Sequence, residues 1–109
     1  MRQLIHEKTA GMQLMAFCET WQPFRNRDWS EKSLAEEMGW SVPYLHRVLH
    51  EELETDFTIF RATYRLAFVQ KMRKNTAVKR LCISRMAGFN SLKEEEISRK
   101  MLVFFKGFF

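Results

Sequence analysis

Between Leu34 and Val48 the chain reads LAEEMGWSVPYLHRV, and six of its positions satisfy one template, two short helices joined by a glycine turn. Ala35 supplies a small side chain where two helices must cross closely. Gly39 follows four residues later, at the one turn position that requires φ > 0. Leu45 and Val48 lie six and nine residues beyond that glycine and turn the apolar edge of the second helix back onto the first. Leu34 and Met38 complete the packing from the other side. Any helical hairpin can carry Ala-x-x-x-Gly, so that pair alone discriminates little. The full set, with Ser41 placed as an N-cap and Pro43 in the first turn, selects a helix–turn–helix.

The rest of the chain is consistent with helices throughout. Its 109 residues make one domain, or two very small subdomains. A hydrophobic fraction of 46%, with ten Phe and three Trp, builds a core without covalent staples. Four Gly and two Pro are too few for the many turns of a sandwich or barrel, so the expected fold is all-α. Cys18 and Cys82 sit in helical patterns without a Cys-x-x-Cys pair, and both are expected as buried, reduced thiols. The opening MRQLIHEKTAGMQLMAF lacks the apolar run of a signal peptide. The longest apolar run, in MLVFFKGFF, falls far short of the roughly 20 residues of a membrane span. A cytoplasmic protein without a membrane partner is expected.

The net charge of +5 is unevenly distributed. Residues 1–56 hold six Lys/Arg against ten Asp/Glu, while residues 57–109 hold twelve against three. A basic second half points to a polyanionic partner such as nucleic acid. The acidic first half, with Glu31, Glu36, Glu37, Glu51, Glu52 and Glu54, carries the glycine-turn motif and weakens long-range attraction to a polyanion.

Leu4, Ile5, Met12, Leu14, Met15 and Phe17 suggest a first helix reaching Glu19, loosened near Gly11. Thr20–Asp28 reads as a loop, and Ser30 caps a helix through Met38. A second helix runs from Val42 to about Leu53. A long helix follows from its cap at Asp56 to Asn75, with Phe57, Phe60, Tyr64, Phe68 and Met72 on one stripe and Ile59, Ala62, Leu66 and Val69 on another. At 1.5 Å per residue it spans roughly 27 Å, and its wide apolar arc implies neighbours on more than one side. Helix resumes over Leu81–Met86, turns at Ala87-Gly88-Phe89-Asn90, and restarts at the capping box Ser91-x-x-Glu94 with Ile97, Met101, Phe104 and Phe105 on one face. Leu34-Ala35…Met38-Gly39-Trp40 and Ile83-Ser84…Ala87-Gly88-Phe89 form a weak internal repeat. The expected organisation is a first helix–turn–helix subdomain over residues 1–55, a linker helix over 56–74 and a second, divergent one over 75–109.

SLAEEMGWSVPYLHRVLHEEL, with its Ser-x-x-Tyr-Leu-x-Arg run at Ser41, Tyr44, Leu45 and Arg47, resembles the first unit of the DNA-binding region of AraC/XylS-family transcription regulators. FTIFRATYRL is similar to the start of that family's linker helix. Ile83-Ser84…Gly88-Phe89 resembles the opening of its second unit, and Ile97-Ser98-Arg99 resembles that unit's recognition helix. The likeness covers residue 12 onward and includes no effector domain. It implies two helix–turn–helix units on one helix and binding to double-stranded promoter DNA. Glu54 stands where the family carries a glycine, so the first recognition helix either ends differently or is strained. Glu94, Glu95 and Glu96 put three negative charges where a second groove-facing helix would begin.

The candidate DNA-contacting residues on the first unit are Ser41, Val42, Pro43, His46, Arg47 and His50. Arg47 is the best base reader, because its planar fork matches the two acceptors on a guanine edge. The alternative role is a surface ion pair with Glu51 at i+4. His46 can donate to a base acceptor, with phosphate or a bridging water as the preferred contact, and Val42 and Pro43 offer apolar contact to a thymine methyl. Ser30 and Ser41 present helix N-terminal amides to phosphate. Arg61 adds a phosphate contact, and Ser91, Lys93 and Arg99 are the candidates on the second unit. Arg65 has a structural alternative, tying the long helix to the acidic residues of the first unit. His46 and His50 have the i, i+4 spacing of metal ligands but lack a Cys/His partner nearby, so no metal and no cofactor are expected. No phosphate loop or nucleophile motif is visible, and no enzyme is expected. The closing FFKGFF is expected to complete the core of the second unit, with a dimer or partner interface as the alternative. The leading expectation is a sequence-specific DNA-binding transcription regulator acting as a monomer or weak dimer. The rival is an interaction protein that keeps the fold without DNA binding and inhibits or recruits another regulator, RNA polymerase or a different protein.

Overall fold

The computed structural model describes residues 9–74 and 77–104, and of Phe104 only its backbone. The protein is all-α: among the described residues there is no strand. The α-helices are α1 (Ala10–Trp21), α2 (Glu31–Met38), α3 (Val42–Glu51), α4 (Phe57–Met72), α5 (Arg80–Met86) and α6 (Leu92–Phe104), with a 3₁₀ turn at Pro23–Arg25. The chain divides into two compact units, one of residues 9–23 and 30–56, the other of residues 24–29 and 57–104.

In the first unit, Thr9 caps α1 by accepting from the Met12 amide at 3.1 Å. The helix begins at Ala10, so Gly11 lies in its first turn next to the extended Thr9; Leu4 and Ile5 lie outside the described residues. The Gly11 amide donates to Glu52 Oε1 at 2.8 Å, and a Cβ there would meet the same oxygen at 2.9 Å. Glycine is what lets α1 approach the end of α3 so closely. Ser30 caps α2 by accepting from the Ser33 amide at 3.1 Å, and Ser41 caps α3 by accepting from Tyr44 at 3.2 Å. Between them Gly39 takes φ 74°, in the left-handed region, as the spacing requires. Leu14, Cys18, Leu34, Ala35, Leu45, Val48 and Leu49 are buried and form the core of this unit.

Glu54 also takes a left-handed φ, 52°. The backbone beyond α3 thus keeps the conformation that favours glycine while carrying a side chain that resists it.

The second unit centres on α4. Ile59, Ala62, Leu66 and Val69 pack with Ile83, Ala87, Phe89 and Leu102 from α5, the following turn and α6. The other stripe of α4 meets the short segment 24–29: Phe24 stacks on Tyr64 (centroids 5.4 Å apart), and Trp29 packs against Phe57 with tilted rings (5.0 Å). Both stripes are therefore occupied, as the breadth of the apolar arc implies.

Arg65 is the fixed point of this packing. It is buried, and its guanidinium donates to the backbone carbonyls of Phe24 (2.8 Å) and Asn26 (2.9 Å). Its partners are these backbone carbonyls, all within its own unit. Burial first, then the neighbouring Arg61 charge, draws its pKa down to about 10, leaving it a cation at neutral pH. Gly88 lies against the same guanidinium with φ 108°, where a Cβ would stand 2.5 Å from the Phe24 carbonyl oxygen.

Two further expectations are corrected here, and a third falls outside the described residues. Cys82 is exposed, while Cys18 is buried. Ile97 is 58% exposed and does not share the covered face of α6; Glu95 and Leu102 are the buried residues there. The cause is register: α6 starts at Leu92, and its inward positions fall on 95 and 102, whatever their polarity. Phe105 to Phe109, most of FFKGFF, lie outside the described residues.

Candidate nucleic-acid interface

The exposed surface of α3 is set by its buried one. With Leu45, Val48 and Leu49 turned inward, helical geometry turns Val42, Pro43, His46, Arg47 and His50 outward, and all five are exposed. Pro43 in the first turn sacrifices no helical hydrogen bond, because amides there have no intrahelical acceptor.

Arg47 forms no ion pair with Glu51. Its guanidinium lies over the Tyr44 ring instead, 5.4 Å from the centroid. Tyr44 is itself partly exposed and edge-packed against Trp40 at 5.0 Å. Among the described residues the Arg47 guanidinium makes no hydrogen bond or ion pair, so its edge donors are available for the paired hydrogen bonds that arginine makes. Tyr44 and Trp40 were not among the sequence candidates. The i, i+3 spacing of Tyr44 and Arg47 was the available signal.

His46 is partly engaged. Its Nδ1 lies 3.6 Å from Glu31 Oε2, an oxygen that is buried and has no hydrogen-bond partner. His46 and His50 stack loosely with centroids 6.1 Å apart. Among the described residues no group of three His, Cys, Asp or Glu could hold a metal ion. The Ser30 and Ser41 hydroxyls are both used as caps.

The remaining candidates lie in the second unit. Arg61 donates to the Trp29 carbonyl at 3.0 Å and sits over the Phe57 ring, so it braces the fold. Ser91 Oγ accepts from the Glu94 amide at 3.2 Å, and the Glu94 carboxylate accepts from the Asn90 amide. Lys93 is exposed. Arg99 donates to the buried carboxylate of Glu95. The structure therefore groups the α3 residues on one face and gives Arg61 and Arg99 internal partners.

Electrostatics divide the two units sharply. Residues 9–23 and 30–56 carry only Lys32 and Arg47 against eight carboxylates. Residues 24–29 and 57–104 carry thirteen Lys/Arg against four carboxylates. Among the described residues no helix is long and apolar enough to cross a membrane. No family model matches the chain, and no curated protein or solved structure matches it.

Proposed function

We propose that the chain is a double-stranded-DNA-binding transcription regulator in which α2 and α3 act as a helix–turn–helix and α3 reads base edges. The observation that carries this reading is Arg47, exposed in the middle of α3, lying over the Tyr44 ring and unpaired with Glu51. Val42 and Pro43 flank it toward the helix start, and His50 lies one turn further on. The likeness of the LAEEMGWSVPYLHRV segment to AraC/XylS regulators supports the same reading. The thirteen cations of the second unit supply sequence-independent attraction to phosphate, which strengthens binding at low salt. A paired guanine contact contributes about 1–3 kcal/mol of discrimination. Arg47→Ala is therefore expected to weaken a preferred duplex about 5- to 150-fold and an unrelated duplex far less. Equal losses on both duplexes in a gel-shift titration would remove base reading from Arg47.

One observation favours a second reading, a protein-interaction module. The unit that bears α3 has eight carboxylates to two cations, and Trp21 on its surface is 72% exposed. Such a surface suits a basic protein partner better than a polyanion. Absence of duplex binding at low salt, with capture of RNA polymerase or another regulator, selects this alternative.

A further inference from the structure

The helices α3 and α6 invite a position-by-position comparison. The fourth and eighth residues of α3 are Leu45 and Leu49, both fully buried. The fourth and eighth residues of α6 are Glu95 and Arg99. Glu95 is as buried as a core leucine, at 2% exposure. An ion pair at such a place is no aid to stability, since well-packed apolar residues do as well or better there. Its chemistry needs another reason.

Glu95 faces a cluster of guanidinium groups. Arg99 donates directly to Glu95 Oε2, and Arg73 Nη2 stands 3.9 Å from the same oxygen, beyond hydrogen-bond reach. Arg80 shares a small neighbouring recess with Glu95, Arg73, Val69 and Ile83 but makes no ion pair with the carboxylate among the described residues. Beside Arg73 and Arg99 lies a cavity of about 240 Å³, bounded also by Leu66 and Gln70. Arg73 makes no side-chain hydrogen bond among the described residues, so its donors are available to an occupant. Two arginines against one carboxylate leave an excess of positive charge around a recess with one apolar wall and one amide.

We propose that this recess binds a small oxyanion, a carboxylate or phosphate ester of a few heavy atoms, held by Arg73 and Arg99 with Gln70 as a further donor. Glu95 is then the built-in competitor: it occupies the guanidinium edge when the site is empty and holds Arg99 in place. The site lies entirely within the second unit and does not depend on DNA binding by α3. A phosphodiester of a nucleic acid carries the same chemistry, and the two sources separate experimentally.

The test is calorimetric titration of the full chain with sodium phosphate, sodium succinate and, separately, a short DNA duplex, each against sodium chloride at matched ionic strength. Saturable binding of phosphate or succinate is expected. Glu95→Gln keeps the shape of the side chain and removes the competing charge, so it is expected to tighten that binding about tenfold. Arg73→Gln, at a side chain 44% exposed and hence tolerant of change, is expected to abolish it. Near-ultraviolet circular dichroism verifies that both variants are folded. Absence of saturable binding by either small anion, duplex binding alone, or affinities unchanged in both variants would overturn the proposal.

Discussion

Two glycines with positive φ occupy corresponding turns, and the structure assigns them very different sensitivities to the same substitution. At Gly39, φ is 74° and an added Cβ would meet nothing within 4 Å. Gly39→Ala therefore carries only the left-handed backbone penalty, about 1 kcal/mol. At Gly88, φ is 108°, and the Cβ would lie 2.5 Å from the Phe24 carbonyl oxygen and 2.7 Å from Arg65 Nε. Those two atoms are themselves hydrogen-bonded at 2.8 Å, so the methyl group must separate them or displace the segment 24–29. Losing a buried hydrogen bond to a charged group adds about 1.5–3 kcal/mol, so Gly88→Ala is expected to cost about 2.5–4 kcal/mol in total. That is a large fraction of the roughly 5–15 kcal/mol available to a domain. Urea unfolding followed by circular dichroism measures both values, and amide hydrogen exchange locates the loss. Increased exchange in α4 and the 24–29 segment is expected for Gly88→Ala only. Equal destabilisation by the two substitutions would refute the packing of Gly88 against Arg65.

The left-handed φ of 52° at Glu54 predicts that Glu54→Gly raises stability by about 0.5–1 kcal/mol, read as a higher thermal midpoint. Cys18 and Cys82 are expected to differ in reactivity: a thiol reagent at neutral pH modifies Cys82 at once and Cys18 only after denaturation. Burial first, then Glu37 and Glu19, push the Cys18 thiol up from 9.0 to about 12. Because the folded value is the higher one, the associated stability is intact below pH 9 and is lost as pH rises toward 12. Cys18→Ala is expected to flatten that alkaline decline relative to the wild type in urea titrations between pH 8 and pH 12.

The parts of the fold legible in the sequence were those with local chemical signatures. Ser30, Gly39 and Ser41 mark helix ends through caps and a left-handed turn, and the structure places all three in those roles. The paired stripes of α4 were readable because both are strongly apolar. What escaped was chemistry carried by backbone or by register. Arg65 binds carbonyls of Phe24 and Asn26, and a carbonyl has no letter in a sequence. In α6 an apolar pattern through Ile97 and Met101 suggested one inward face, whereas the helix turns Glu95 inward and leaves Ile97 exposed. A glutamate at an interior position contradicts hydrophobic patterning, and only its neighbours Arg73 and Arg99 make it tolerable. The α3 face was legible because burial of Leu45, Val48 and Leu49 dictates what must lie opposite. The placement of Arg47 over the Tyr44 ring is not written in the sequence.

The most direct test of a DNA-reading α3 is selection of duplexes from a random-sequence pool by the full chain at low salt, repeated with Arg47→Ala. Enrichment of a common site by the wild type, with the preference at a G·C pair relaxed in the variant, is the predicted result. Retention of the pool without enrichment, or an identical enriched site from both proteins, would contradict the account.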